Sequence, residues 1–370
     1  MMLISLFVLF LALTIIDAQN KCAFYENCVD ILDCWEYRYL WTYPYKPFTE
    51  ETVQKIKRMQ CSPKGIYPKI CCYKGPPRRE LPEVPYVENH PNKRFFDNQQ
   101  CGTRMNDGET YKFFQYPWMA LLKYQHIEGE PEERFLCSGT IISSRYILTA
   151  AQCNYQKNFR LIGVRVGDYD VSKERDCELD ENGHEVCADR YQEFDVEKFY
   201  SHPEFNLMGL ENDIALIRLN DTIKFNLQNI KPICLPFSFD GSIDFPRRIF
   251  SRIDEMDVSG WGMTTNDTMR SSELQSVRLN LIPNEYCKKI YSHGTYGSFR
   301  YKQLCAGGQI DVEHPCNGDL GGPLHANEGR FTYQHGVTSY GRIPCDTKLL
   351  PGVYTSVVYY MDWILNTMTD

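Results

Sequence analysis

The chain has 370 residues, of which 43% are apolar and 24% charged, so it can bury a full-sized core and is no disordered or low-complexity polymer. Lysine and arginine total 40 against 48 acidic residues, and the formal net charge of -8 excludes a nucleic-acid binder that relies on a global basic field. Sixteen cysteines, an even number, raise the choice between disulfide pairing and metal binding.

Residues 1–18 predict a cleaved signal peptide. Met1 to Ile16 is almost wholly apolar, and Ala18 is small enough for the position before a signal-peptidase cut. An uncleaved anchor is the alternative, but this apolar run is shorter than the roughly 20 residues that a spanning helix needs. No later stretch is long and apolar enough to cross a bilayer. We therefore expect a secreted, extracellular protein whose cysteines pair as disulfides.

The cysteines divide the remaining chain into two modules and a linker. Six cysteines fall in residues 19–73, one in residues 74–104 and nine in residues 105–370. The middle segment carries prolines and basic residues without apolar periodicity, which predicts a semi-stiff exposed linker. The first module is too short for a large core, so disulfides must constrain it.

The second module is predicted to be all-β. Short β-branched and aromatic runs such as Thr140–Ile142 and Ile214–Leu219 alternate with turn residues, which favours a sandwich or barrel over alternating strand and helix units. One amphipathic helix is predicted near the end, over Val357–Met368, where apolar residues recur at helical spacing.

Six motifs follow one another in this module in the order typical of one family. They are YPWM at 116–119, LTAAQC at 148–153, NDIAL at 212–216, GWG at 260–262, CNGDLGGP at 316–323 and PGVY at 351–354. On these motifs residues 105–370 resemble a chymotrypsin-type serine protease domain. The resemblance implies a double six-stranded β-barrel, an active site between the barrels and a C-terminal helix.

The first six cysteines have a spacing similar to that of the clip domain of arthropod extracellular serine proteases. The first three are separated by five residues each, and the last two are adjacent. Fifteen pairings are open from sequence alone, and an unrelated small disulfide module is the alternative. The pairs implied by the resemblance are Cys22–Cys71, Cys28–Cys61 and Cys34–Cys72.

The same resemblance implies five further disulfides. Cys101–Cys234 would hold the two chains together after zymogen cleavage. The other four pairs are Cys137–Cys153, Cys177–Cys187, Cys287–Cys305 and Cys316–Cys345.

The resemblance fails at the catalytic residues. The family uses a serine nucleophile, a histidine base and an aspartate that orients the histidine. Asp213 matches the aspartate, but Gln152 stands in the histidine's place, and its amide is no base near neutral pH. Leu320 stands in the nucleophile's place and has no nucleophilic atom. We therefore expect a non-catalytic homologue; an active serine endopeptidase rerouted through neighbours such as Ser339 is the alternative.

Parts of the surrounding machinery are retained. By resemblance the N–H groups of Gly318 and Leu320 form the oxyanion hole, and Asp319 receives the new N-terminal ammonium after activation. A trypsin-like processing enzyme is expected to cut between Arg104 and Met105, and an uncut surface arginine is the alternative. The chain reads Met-Asn-Asp-Gly after this bond, where the family reads Ile-Val-Gly-Gly.

The substrate pocket also departs from the trypsin-like pattern. His314 stands where those enzymes carry aspartate at the pocket floor, and it is either pH-sensitive or buried and neutral. Tyr340 replaces the usual tryptophan, while Gly341 and Gly352 keep the pocket walls small. A preference for arginine in the substrate is therefore not predicted from the sequence.

Two further kinds of site are expected. An acidic loop carries oxygens of the type that bind calcium in related loops, with a solvated acidic surface as the alternative. The carboxylates concerned are Asp168, Asp170, Glu178 and Glu181. The sequons at Asn220 and Asn266 are glycosylation acceptors in a secreted chain. No other cofactor is required.

These features predict a secreted, non-catalytic clip-domain serine protease homologue that acts as a cofactor or regulator of an extracellular proteolytic cascade. The resemblance implies innate immunity as the setting, through melanisation or Toll-type signalling. The expected partners are clip-domain proteases or their zymogen substrates. A pattern-recognition or adhesion protein that binds microbial surfaces is the alternative from another functional class.

Overall fold

The computed structural model places its described residues in two units, Met1–Leu81 and Pro82–Asp370. Described are residues 22, 26–31, 33–34, 50–62, 68–73, 85, 87, 89–96, 100–103, 111–128, 132–237, 255–262, 271–291, 302–307, 320–341 and 351–370. The predicted signal peptide, residues 1–18, lies outside them. No helix in the described part of the chain is long and apolar enough to cross a membrane.

The N-terminal unit contains a three-stranded antiparallel sheet. Strand β3 (Lys69–Tyr73) lies in the middle, between β1 (Glu26–Asp30) and β2 (Gln60–Ser62). Helix α1 (Glu50–Met59) runs directly into β2 and packs Ile56 against the sheet. Basic residues in the last turn of α1 complement the negative end of the helix dipole.

Disulfides compensate for the small core of this unit. Among its described residues, the buried aliphatic side chains are Ile31, Ile56 and Ile70, each of which contributes about 2 kcal/mol. That is little against the backbone entropy of ordering the unit, about 1–2 kcal/mol for each residue fixed. The structure closes the three pairs that the resemblance implies, Cys22–Cys71, Cys28–Cys61 and Cys34–Cys72.

The first half of the C-terminal unit is a closed antiparallel barrel whose strands pair in the order β10-β11-β6-β5-β4-β7. The strands are β4 (Met119–His126), β5 (Glu133–Ile141), β6 (Tyr146–Thr149), β7 (Phe159–Val166), β10 (Gln192–Ser201) and β11 (Ala215–Leu219). Closure leaves no free strand edge. Between β7 and β10 along the chain lies a separate hairpin, formed by β8 (Cys177–Leu179) and β9 (Glu185–Cys187).

The second half is a six-stranded sheet in the order β13-β12-β15-β16-β17-β14. Its strands are β12 (Glu255–Gly260), β13 (Gln275–Asn280), β14 (Gln303–Gly307), β15 (Pro323–Glu328), β16 (Phe331–Tyr340) and β17 (Pro351–Ser356). A bridge from Leu281 to Ala306 brings the two edge strands together, as barrel closure requires. Helix α2 (Asn284–Tyr291) connects these edges. The predicted all-β class with two six-stranded β-layers is therefore confirmed.

The C-terminal helix is confirmed but is shorter than predicted. The stretch Val357–Tyr360 forms a 3-10 turn, and only Met361–Thr367, helix α3, is α-helical. β-Branched and aromatic side chains lose rotamer freedom in an α-helix, and all four residues of the turn are buried. Ile364 and Leu365 point into the core with no exposed surface.

Four disulfides are described in the C-terminal unit, and they are those that the resemblance implies. The pairs are Cys101–Cys234, Cys137–Cys153, Cys177–Cys187 and Cys287–Cys305. Cys316 and Cys345 lie outside the described residues, so that pair stays a prediction.

The last part of the predicted linker packs on the C-terminal unit and is not fully exposed. Val87 is 4% exposed and belongs to the main core, and Gly102 is buried. A short 3-10 helix, Pro91–Phe95, lies between them. Sequence patterning missed this contact because isolated apolar residues in a proline-rich segment have no periodicity.

Replacing both Cys28 and Cys61 by serine is expected to destabilise the N-terminal unit by about 3 kcal/mol, because the loop between these two residues is no longer constrained. Limited proteolysis should then cut residues 22–73 at protease concentrations that leave the parent intact. The control, Cys177→Ser with Cys187→Ser, should leave those residues resistant. Equal resistance of parent and variant would contradict the need for this disulfide.

Candidate functional site

Asp213 lies between the two halves of the C-terminal unit and is fully buried. The residue before it, Asn212, has a φ of 54°, a left-handed conformation that asparagine tolerates better than most residues. The Tyr360 hydroxyl donates to Asn212 Oδ1 at 2.9 Å, and Asn212 Nδ2 donates to the Glu204 carbonyl at 2.9 Å. These contacts fix the turn that carries the aspartate into the interior.

Donors from both halves surround Asp213. The Gln152 backbone N–H donates to Oδ1 at 2.9 Å, and Gln152 Nε2 donates to Oδ2 at 2.5 Å. From the second half, Ser339 Oγ donates to Oδ2 at 2.5 Å and Thr355 Oγ1 to the backbone carbonyl at 2.7 Å. Burial raises the pKa of Asp213, and the hydrogen bonds from Ser339 and Gln152 oppose that rise.

Gln152 stands where the resemblance predicts the histidine, and its side chain is not a base. It lies on the 3-10 helix Ala151–Tyr155, directly after β6. Its Nε2 also donates to the Ser339 carbonyl at 2.8 Å, so both amide hydrogens have acceptors. The remaining amide oxygen can accept hydrogen bonds, but it is a very weak base and is not protonated near neutral pH. The side chain therefore stabilises Asp213 but offers no route for proton transfer.

Leu320 places an alkyl group where the resemblance predicts the nucleophile. The side chain is half-buried against the main core, and its carbonyl accepts the Ser138 N–H at 2.8 Å. Gly321 follows with a φ of 82°, and a β-carbon there would lie 2.5 Å from the Ser138 carbonyl oxygen. The turn thus depends on a glycine, yet the residue it presents is chemically inert.

The described part of the predicted pocket contains Tyr340 and two glycines. Tyr340 is 8% exposed, packs edge-to-face on Tyr291 and has a pKa that burial raises to about 12. A β-carbon on Gly341 would lie 3.8 Å from the Cα of Gly352, so these two glycines are neighbours. A β-carbon on Gly352 would lie 2.9 Å from the Tyr354 hydroxyl, which leaves no room for a larger residue.

Several predicted site residues lie outside the described residues, and their roles stay predictions. They are Arg104 and Met105 at the cleavage site, Gly318 of the oxyanion hole, Asp319, His314 of the pocket and the sequon residue Asn266.

The four carboxylates predicted to bind calcium do not converge. Asp168 Oδ2 accepts from Arg165 at 3.0 Å, and burial raises the Asp168 pKa to about 6 although this arginine opposes the rise. Burial also acts on Asp170, but hydrogen bonds from Lys173 and Ser172 outweigh it and lower that pKa to about 2. The other two carboxylates, Glu178 and Glu181, form no ligand cluster with these aspartates. As arranged, the set does not fit a calcium ion.

The sequon at Asn220 is exposed on the C-terminal unit, directly after β11. Asn220 Oδ1 accepts the Asp195 N–H at 3.1 Å. Exposure of the sequon is compatible with glycosylation, which stays a prediction.

Sequence reasoning missed the donors that complete the Asp213 site. Ser339 directly precedes the pocket residues Tyr340 and Gly341, and that position was the available signal. Thr355 is 142 residues from Asp213 along the chain and had no local signal. Arg165, which binds the Asp168 carboxylate only three residues further along the chain, was also missed, although this spacing was a local signal.

Comparisons with known proteins identify the family. The trypsin family model matches residues 105–364. The chain belongs to the trypsin family. Its relatives include CLIP domain-containing serine protease HP8 of Bombyx mori, 32% identical over 367 residues, which are 94% of this chain and 93% of that one. Serine protease grass of Drosophila melanogaster is 36% identical over 284 residues, 74% of this chain and 71% of the relative.

A solved structure supports the same assignment over nearly the whole chain. The crystal structure of the Drosophila Grass clip serine protease of the Toll pathway superposes with a TM-score of 0.64 at 29% identity. The match covers 93% of this chain and 94% of that one. The predicted clip-domain, chymotrypsin-like family is therefore confirmed.

Replacing Gln152 by alanine is expected to lower the free energy of unfolding at pH 7 by about 2 kcal/mol, because Asp213 loses a charged hydrogen bond. The pKa of Asp213 is raised in the folded state, so the free energy of unfolding of the protein decreases as the pH rises through that pKa. Losing the Gln152 donor raises the Asp213 pKa further. The difference in unfolding free energy between parent and variant should therefore be largest near neutral pH and smallest near pH 4.

Urea unfolding at pH 4 and pH 7 measures this difference. Gln275→Ala, at an exposed glutamine of β13, is the matched control and should change stability little at either pH. A deficit of equal size at both pH values would show that Gln152 does not act through the Asp213 carboxylate.

Proposed function

We propose that this protein is a secreted, catalytically inactive clip-domain member of the trypsin family that serves as a cofactor or regulator of an extracellular proteolytic cascade. The observation that carries the proposal is the geometry at Asp213, where a glutamine amide takes the place of the base. Leu320, in the nucleophile's place, has no group that attacks a carbonyl.

The size of the catalytic loss supports inactivity. Triad residues act as a unit, and losing the nucleophile or the base alone costs a factor on the order of 10⁶ in turnover. Binding and an oxyanion hole leave a residual acceleration of about 10³–10⁴ over water, which is too slow for a physiological peptidase. Loss of both groups therefore removes covalent acyl transfer.

The retained framework supports a binding role. Four disulfides are described in the C-terminal unit, and the buried Asp213 is fully supplied with donors. A folded domain without chemistry still presents surfaces to other proteins. Clip-domain proteases or their zymogen substrates are the proposed partners, and a trypsin-like enzyme is the proposed processing protease that cuts after Arg104.

The names of relatives support a cascade in immunity as the setting. They include Spaetzle-processing enzyme and Melanization protease 1 of Drosophila melanogaster, which are 36% and 34% identical to this chain. The solved Grass structure is described as a protease of the Toll pathway. Melanisation or Toll-type signalling is accordingly the proposed context.

Labelling with an active-site fluorophosphonate tests inactivity. After cleavage at Arg104 the parent protein should show no covalent labelling, because Leu320 has no hydroxyl to be phosphonylated. Leu320→Ser restores a hydroxyl without a base, and it should label about 10²–10⁴-fold more slowly than Gln152→His with Leu320→Ser. Robust labelling of the parent would refute the proposal.

Reconstitution tests the cofactor role. Cleaved protein is added to a clip-domain protease zymogen and its upstream activator, and the rate of zymogen activation is measured with a peptide substrate. We expect the rate to change with a saturable dependence on the added protein. An unchanged rate together with binding to microbial polymer would instead favour the pattern-recognition alternative.

A further inference from the structure

A segment N-terminal to the expected cleavage site holds the end of helix α3. The segment, called the strap, comprises residues 89–96 and 100–103. Asn92 Nδ2 donates to the Leu365 carbonyl at 2.8 Å and to the Met368 carbonyl at 3.0 Å. Carbonyls at a helix C-terminus have no partners within the helix, so this amide supplies donors that the helix itself lacks.

His90 orients this contact. Its Nδ1 accepts the Asn92 N–H at 3.2 Å, so in the neutral ring Nε2 carries the proton. Nε2 lies 3.0 Å from Asn366 Oδ1, which is an acceptor. His90 and Asn92 therefore contact α3 as a pair.

Aromatic contacts fix the middle of the strap. The Phe96 ring meets the Phe237 ring edge-to-face at a centroid distance of 5.2 Å. Lys93 Nζ lies 5.7 Å from the centroid of the same Phe237 ring. The ion pair between Arg94 and Asp370 is exposed on both sides and adds little stability.

The C-terminal end of the strap is held by backbone hydrogen bonds as well as by a disulfide. The Gly102 N–H donates to the Pro232 carbonyl at 2.8 Å, and the Gly102 carbonyl accepts the Thr332 N–H at 2.9 Å. A β-carbon on Gly102 would lie 2.7 Å from the Thr332 nitrogen, so the strap fits closely here. Cys101 next to it is joined to Cys234.

We propose that the strap is a second, non-covalent tether, which keeps the N-terminal chain bound to the C-terminal chain after cleavage even when Cys101–Cys234 is broken. The contacts described above include the Phe237 ring and the end of α3, as well as the backbone next to the disulfide. The inference rests on the proposed cleavage after Arg104, because only cleavage turns the strap into part of a separate chain. The surface formed by Phe237 and the last turn of α3 is then a binding site for the strap.

An engineered cut tests the tether independently of natural processing. A site-specific protease sequence replaces residues 104–110, and the cut protein is analysed by size-exclusion chromatography at low micromolar concentration. With Cys101→Ser and Cys234→Ser, the two chains should still co-elute. Adding Asn92→Ala and Phe96→Ala should raise the dissociation constant at least tenfold and separate them.

Asn89→Ala is the matched control, since Asn89 is an exposed asparagine of the same strap. It should leave co-elution unchanged. Separation of the chains by the cysteine substitutions alone would overturn the proposal, and so would co-elution that persists with Asn92→Ala and Phe96→Ala. Because the cut is engineered, either failure leaves the proposed inactivity and cofactor role untouched.

Hydrogen exchange on the uncut chain, with its native disulfides, gives a second readout that does not depend on folding of the cysteine variant. Asn92→Ala should speed exchange of the amides in 363–368 at least tenfold, and Asn89→Ala should not. Equal exchange in the two variants would overturn the capping role of the strap.

Discussion

The C-terminal unit depends on the burial of one carboxylate. Asp213 has no exposed surface, and a charge removed from water is tolerated only where donors replace the lost hydration. The donors to the carboxylate come from both halves: Gln152 from the barrel and Ser339 from the second sheet. Thr355 of the second sheet adds a hydrogen bond to the Asp213 backbone carbonyl. The two halves therefore meet at Asp213, and its hydrogen bonds constrain how one half lies against the other.

Glutamine stands at position 152, where the resemblance predicts the histidine, and it keeps a structural role. Its Nε2 donates to the Asp213 carboxylate and to the Ser339 carbonyl. The amide has no basic nitrogen, so Gln152 itself cannot act as a general base. Leu320 is similar, because the tight turn at Gly321 presents a side chain that has no nucleophilic atom.

Side-chain contacts and a disulfide hold the N-terminal segment of this unit in place. Asn92 caps α3, the Phe96 ring packs on Phe237, and a disulfide joins Cys101 to Cys234. The disulfide constrains the unfolded chain, whereas the hydrogen bonds and ring contact stabilise only the folded state. Together they bind the strap, which precedes the expected cleavage site, to the rest of the C-terminal unit.

The sequence by itself determined the family, the all-β class and, through the family resemblance, the pairing of fourteen described cysteines, and it predicts the loss of the base and the nucleophile. These features are carried by residue identity at fixed motif positions, which a single sequence displays. Only the tertiary structure decided that Thr355 meets Asp213 and that Asn92 caps α3. These contacts join groups that lie 142 to 276 residues apart along the chain and are brought together only by packing, so no local pattern encodes them.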